Sequence, residues 1–250
     1  MPDRPETAPP VVLLHGCGGT ARTTFETTGM LSALRRAGRT GLALDLPGHG
    51  PGAQAHDPQA YADLAGMITA RLPEGPIDAI GYSLGGKLLL ELAIRSPGRF
   101  RRLVLGGVGD NVFAPETVAA AAAAALEHGP TADTPAPVLA FLRTWEPGWN
   151  DALAIAAVLR RPPNPVFTHA RLAAVRAAVL LVNGDADPAA RASGLLRDAL
   201  PGARLTTLPG VDHFGLPGQA EFITSATDFL AAPTRGVSTP DSRGGRLETR

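Results

Sequence analysis

One serine stands between two glycines in Gly81-Tyr82-Ser83-Leu84-Gly85, the pattern G-x-S-x-G. Before it, Pro76-Ile77-Asp78-Ala79-Ile80 reads as a short apolar strand; after it, Gly86 to Ile94 reads as a helix that ends at Pro97. A strand that turns abruptly into a helix needs glycines around the turn, so that the backbone can crowd close and leave the serine exposed. The serine then sits at a helix N-terminus, where free N–H groups and the helix dipole favour negative charge. Such a turn presents a nucleophile. The competing reading is a chance Gly-rich turn, since the chain has 29 glycines. A serine hydroxyl is a poor nucleophile at neutral pH and needs a base. Of the six histidines, His56 and His128 lie in polar stretches and His169 in a helical block. His15 and His49 follow strand patterns, and His213 lies in Gly210-Val211-Asp212-His213-Phe214 between the last strand and the last helix.

The elements that must position these groups alternate. Val11–Leu14 is an all-apolar run, as expected of a strand buried on both faces of a parallel sheet. Helical spacing follows from Phe25 to Ala37, then a strand at Gly41–Leu44. A helix is predicted from Asp57-Pro58, an aspartate cap followed by proline in the first turn, through Leu72. The serine's own strand and helix come next, then a strand at Leu103–Gly107. From about Asp110 to Ala173 the pattern is helical only, with a run of alanines from Val118 to Leu126. Strand, helix, strand and helix resume at Val179–Val182, Ala189–Leu200, Leu205–Leu208 and Phe222–Leu230. Alternating strands and helices imply a mostly parallel sheet of about six strands with helices on both faces.

The expected organisation is an N-terminal extension over 1–10, a core over 11–109 and 174–232, a helical insertion over 110–173, and a disordered tail over 233–250 rich in Gly, Ser, Thr, Pro and charge. Lys+Arg and Asp+Glu are 23 each, so no basic excess suggests nucleic acid or an anionic membrane surface. No apolar run approaches the roughly 18–20 residues of a membrane span, and the N-terminus lacks an apolar signal core. The single cysteine, Cys17, leaves no internal disulfide and no metal cluster. These features predict a soluble, cytoplasmic protein without a metal or cofactor.

Taken in order, these motifs resemble the α/β-hydrolase superfamily: His15-Gly16, Asp45-Leu46-Pro47-Gly48-His49-Gly50, the turn at Ser83, Asp187-Pro188 and His213. The resemblance covers most of residues 11–232 and implies the α/β-hydrolase fold with a helical lid at 110–173. It departs from the usual pattern at the start, where only ten residues precede Val11; the sheet is therefore expected to begin at Val11–Leu14.

The resemblance implies Ser83 as nucleophile, His213 as base and Asp187 as the acid that orients it, in the chain order expected of that fold. Asp185 and Asp110 are the rival acids. It implies an oxyanion hole from the backbone N–H groups of Leu84 and Cys17. His15 and His49 would shape backbone. The lid holds Phe113, Phe141, Trp145, Trp149 and Phe167, which either pack it onto the core or line an apolar pocket. The implied activity is hydrolysis of a small or medium carboxylic ester through an acyl-enzyme. The absence of a charged cluster in the lid points to an apolar or neutral substrate, while an arginine in the pocket would favour an acidic diketone, and Arg143, Arg160, Arg161 and Arg171 lie in the lid region. Hydrolysis of a carbon–carbon bond, a lactone or a thioester, or perhydrolysis, would use the same triad. A non-catalytic binding protein on the same fold is the alternative from another class. Epoxide hydrolases and haloalkane dehalogenases carry aspartate where Ser83 stands, so they are disfavoured.

Overall fold

The computed structural model describes residues 8–52, 54–145, 148–162 and 166–232. The predicted disordered tail lies outside the described residues, as do residues 1–7 of the extension. Six strands form one sheet: β1 (Val11–Leu14), β2 (Gly41–Leu44), β3 (Ile77–Tyr82), β4 (Phe100–Gly106), β5 (Ala178–Gly184) and β6 (Arg204–Leu208). Their order is β2-β1-β3-β4-β5-β6, and every pairing is parallel. Among the described residues the first strand is the one at Val11, although β1 is an inner strand and β2 the edge.

The two faces separate by strand alternation. Val12 and Leu14 of β1 face a core shared with α2 (Leu64–Thr69) and α3 (Leu84–Arg95), through Ile68, Leu88, Leu89 and Leu92. Val11 and Leu13 face the opposite core with α1 (Met30–Arg36) and α9 (Ala220–Ala231), through Leu34, Phe222 and Leu230. Inner strands buried on both faces carry unbroken apolar runs for this reason. At the amino ends of the strands, buried Asp78 pairs with Arg39 at 2.5 Å and Arg101 at 3.1 Å. Arg39 and Arg102 also donate to the Leu230 carbonyl, holding the end of α9 against the sheet.

Three predicted helices start later or break, two of them where an aspartate side chain takes over backbone N–H groups. The stretch from Phe25 is a single π-turn at Arg22–Glu26; α1 starts only after Gly29, at φ 89°. The helix predicted from Asp57 is a 3₁₀ turn (Pro58–Tyr61) followed by α2, because Asp63 caps a new start by accepting from Gly66 N at 3.0 Å. The helix predicted from Ala189 begins at Gly194. The Ala189 and Ala190 N–H groups donate instead to the Asp187 carboxylate.

Between β4 and β5 lie α4 (Ala119–His128), α5 (Ala136–Arg143), α6 (Ala152–Arg160) and α7 (His169–Leu172), with no strand among the described residues. Helices α8 (Gly194–Ala199) and α9 flank β6. Ala122, Ala125 and Val138 make a small cluster of their own with Phe141, Leu142 and Leu159, apart from the sheet's cores. The chain steps from β1 out to β2, then returns to place β3 on the other side of β1. In open α/β sheets, ligands bind beyond the carboxyl ends of strands where the order reverses in this way. The segments leaving that point are His15-Gly16 after β1 and Ser83 after β3.

Candidate active site

Ser83 has φ 51° and ψ −115°, and it is the only non-glycine with positive φ among the described residues. Such a backbone costs on the order of 1–3 kcal/mol and persists only where surroundings enforce it. Here Ser83 N donates to Gly106 O at 2.8 Å and Gly85 N to His15 O at 3.0 Å, so both neighbouring strands hold the turn. A Cβ on Gly81 would lie 2.6 Å from Gly86 Cα, and one on Gly85 would overlap the Leu14 carbonyl. The glycines are therefore required by close backbone approach.

The His213 ring lies beside the serine. Its Nε2 is 3.0 Å from Ser83 Oγ, and its Nδ1 is 2.7 Å from Asp187 Oδ2. A carboxylate only accepts, so Nδ1–H donates to Asp187 and leaves the Nε2 lone pair to take the serine proton. Asp187 is fully buried, and its other oxygen accepts from Ala189 N at 2.7 Å and Ala190 N at 3.2 Å. The Tyr82 hydroxyl donates to the His213 carbonyl at 2.7 Å, which fixes the loop carrying the ring. The two rival acids do not touch the imidazole. Asp185 accepts from Gly210 N at 2.7 Å, shaping its own turn, and Asp110 accepts from Leu196 N at 2.8 Å, in the first turn of α8.

The Leu84 N–H opens α3, and the Cys17 N–H lies in the loop after β1. Among the described residues neither donates a hydrogen bond to the protein. The Cys17 loop is tied down around them. Gly19 N donates to Gly16 O at 3.1 Å, and Gly18 N to His49 Nε2 at 3.0 Å. Asn150, from the turn before α6, donates to Gly18 O and accepts from Gly50 N, both at 2.8 Å. Sequence reading did not single out Asn150; no local pattern marks a contact 132 residues away.

His15 and His49 serve as backbone acceptors. His15 Nε2 accepts from Leu46 N at 3.0 Å, and its Nδ1–H meets Gly16 O at 2.7 Å. Only neutral rings can accept in this way. Burial pushes His15 down to about 4 and His49 down to about 3. His15 Nε2 is also 3.7 Å from Asp45, but a neutral ring makes this no ion pair. Burial pushes the Cys17 thiol up to about 12, so it stays protonated and contributes backbone rather than nucleophile.

A cavity of about 1020 Å³ opens over Ser83 and His213. Cys17 lines it from the sheet side, with Val138, Phe141, Trp149 and Leu159 from the helical block. Of the five aromatics singled out in the sequence, Phe141 and Trp149 reach this cavity. Trp145 packs edge-on against Phe141, Phe113 stacks on His169, and Phe167 is buried beneath Arg171. Lys87, one turn beyond Ser83 on α3, also lines the wall and pairs with Glu116 at 2.8 Å. Burial alone would raise the Glu116 carboxyl; the Lys87 charge and hydrogen bond, with the Arg161 charge, outweigh it and hold it below the usual range.

A serine bonded to an oriented imidazole, beside two backbone N–H groups that have no acceptor among the described residues, at the mouth of an apolar cavity, has the parts for nucleophilic acyl transfer. Comparison with known proteins finds hydrolases among the chain's relatives. Over 103 residues the chain is 37% identical to a pimeloyl-[acyl-carrier protein] methyl ester esterase of Neisseria meningitidis, covering 40% of this chain and 30% of the relative. Over 106 residues it is 39% identical to a 2-hydroxy-6-oxo-2,4-heptadienoate hydrolase of Pseudomonas putida, covering 40% and 38%. The matched segments thus span less than half of these relatives. Among solved structures, a hydrolase from Pseudomonas aeruginosa superimposes with a TM-score of 0.66 at 25% identity, covering 92% of each chain. An enol-lactonase from Burkholderia xenovorans reaches 0.71 at 23% identity, over 90% of this chain and 92% of that one, a likeness of fold. The model of the alpha/beta hydrolase family matches residues 11–225, which include all six strands and everything gathered around Ser83. The chain belongs to the alpha/beta hydrolase family.

Proposed function

We propose that this protein is a serine hydrolase that cleaves small or medium carboxylic esters through an acyl-enzyme. The observation that carries this reading is the continuous hydrogen-bonded line from Ser83 Oγ through the His213 ring to buried Asp187, at 3.0 and 2.7 Å. His213 Nε2 takes the Ser83 proton as the hydroxyl oxygen attacks the ester carbonyl. Asp187 keeps the productive tautomer and stabilises the imidazolium without taking the proton. The carbonyl oxygen, now an anion, is held by the Leu84 and Cys17 N–H groups. His213 returns the proton to the departing alkoxide. Water then attacks the acyl-enzyme with His213 again as base.

In this reading the helices over 110–173 form a lid, since they supply Val138, Phe141 and Trp149 to the far wall of the cavity. An apolar wall suits an acyl or alkyl chain. No described helix is long and apolar enough to cross a membrane; a chain with a single cysteine suits the reducing cytoplasm. The relative from Pseudomonas putida named above as a heptadienoate hydrolase makes carbon–carbon bond hydrolysis on the same triad the second reading.

A fluorophosphonate probe tests the proposal. Wild type should be labelled and Ser83→Ala should not, with ester turnover falling by several orders of magnitude in a folded variant. Labelling without hydrolysis of any acyl ester, lactone or dienoate would leave a binding protein with a reactive serine. Labelling at another residue would remove Ser83 from the site.

A further inference from the structure

Arg161, just past the end of α6, is 9% exposed. Its Nη1 donates to Val158 O at 2.6 Å, and its buried Nε has no partner. Among the described residues no carboxylate oxygen lies within 4.0 Å of it. The cations around it are already paired: Lys87 with Glu116 at 2.8 Å, and Arg160 with Glu127 at 2.5 Å. Arg161 lines a cavity of about 870 Å³ that adjoins the catalytic one, the two sharing a wall made by Lys87, Asn111, Glu116 and Leu159.

A guanidinium carries five N–H donors and never loses its charge at neutral pH. Burying it without a counter-ion costs several kcal/mol. The bland explanation is a helix cap, since Val158 O is one of the free carbonyls at the end of α6. A cap accounts for one bond, and an exposed lysine or arginine would make it equally well. It does not account for the burial, the unpartnered Nε or the position on a cavity wall. Nor do other groups nearby balance the charge. The Cys17 thiol and the His49 ring both feel Arg161, and burial keeps both neutral at pH 7. Glu116 feels it too, but spends its hydrogen bond on Lys87.

We propose that Arg161 and the cavity it lines form a carboxylate subsite, so that the preferred substrate is an ester whose apolar chain ends in a carboxylate. This rests on the esterase reading and sharpens it. The reacting end meets Ser83, the chain runs along the apolar wall, and the anion passes the neutralised Lys87–Glu116 pair to reach the guanidinium. One guanidinium balances one negative charge, which favours a carboxylate over a phosphate dianion. The expectation of a neutral substrate rested on the absence of a charged cluster in the sequence; a single buried arginine suffices where solvent is excluded.

The test compares p-nitrophenyl half-esters of succinic to suberic acid with p-nitrophenyl esters of fatty acids of the same chain lengths. Wild type should show the higher kcat/KM on at least one half-ester. Arg161→Met should lower the half-ester to fatty-ester ratio by about tenfold or more, and Arg161→Lys should restore part of it. The ratio cancels any general loss of folding or catalysis. An unchanged ratio in Arg161→Met, or a wild type that prefers the fatty esters at every length, overturns the subsite. A half-ester bearing a terminal phosphate in place of the carboxylate, if preferred, overturns the carboxylate assignment. Failure of the esterase reading looks different: no ester of either series is turned over. In that case the rise in melting temperature caused by adipate against hexanoate, present in wild type and lost in Arg161→Met, tests the subsite alone, and its absence overturns it.

Discussion

The Asn150 side chain bridges to Gly18, its Nδ2 donating to the Gly18 carbonyl at 2.8 Å while its Oδ1 accepts from Gly50 N at the same distance. One amide thus joins the helical block to the loop that carries the Cys17 N–H and to the loop after β2. The adjacent residue, Asp151, caps α6 and reaches His56 at 2.7 Å. The cavity's far wall and the Cys17 loop are therefore mechanically connected.

Asn150→Ala should reduce kcat about tenfold or more with a smaller change in KM. Two part-buried backbone groups lose their partner, at about 1–3 kcal/mol each, and the Cys17 N–H loses its anchor. Steady-state kinetics beside a melting curve check this. A fall in melting temperature with kcat unchanged would show that Asn150 only braces the fold.

Asp187→Asn should cripple turnover, while Asp110→Asn and Asp185→Asn should stay within a few-fold of wild type. Only Asp187 meets His213, and the other two accept from a backbone N–H, which an asparagine oxygen can also do. An amide at the Asp187 position can hold the imidazole in the wrong tautomer and supplies no charge. In the serine-protease example given for this chemistry the loss is about 10⁴-fold. Comparable losses in Asp110→Asn would contradict the geometry.

Gly85→Ala should abolish activity and lower stability by about 1–3 kcal/mol. The added Cβ would overlap the Leu14 carbonyl and lie 2.6 Å from His15 O, both backbone atoms that cannot yield. Gly98→Ala is the control, because a Cβ there meets nothing within 4 Å. Equal melting temperatures and activities for the two variants would refute the packing of the turn.

Stability should fall as pH drops below about 6.5. His15 and His49 titrate in the folded protein near 4 and 3, below the 6.5 expected when unfolded. The unfolded chain therefore takes up protons that the native rings refuse. Their contribution is complete above pH 6.5 and declines as pH falls towards the folded values, by up to about 1.4 kcal/mol per pH unit per histidine. Denaturant unfolding from pH 7.5 to pH 5 measures the slope, and His49→Gln should reduce it. A flat profile in wild type would mean that the rings are accessible to protons.

Much of this protein follows from local pattern. The all-apolar β1 and the Gly81–Gly85 turn are legible because strand burial and backbone crowding restrict which residues can stand there. The order of Ser83, Asp187 and His213 along the chain is legible because each follows a strand, and parallel strands bring their carboxyl ends to one edge. Helix limits were less legible. Asp63 and Asp187 draw backbone N–H groups to their own carboxylates, and that competition depends on where each side chain points.

Tertiary structure alone decided the rest. Asp110, Asp185 and Asp187 all follow strands of the sheet, and nothing in their types separates them; only the direction of the loops brings the Asp187 carboxylate to His213. Asn150 and Arg161 lie in a helical block whose sequence shows no periodic sign of either role. Asn150 matters because folding sets it against Gly18 and Gly50, far away in the chain. Arg161 stands out because folding removes it from water while no carboxylate among the described residues comes within 4.0 Å. Burial and pairing of a charge are properties of the space around it, and that space is built by residues distant in sequence.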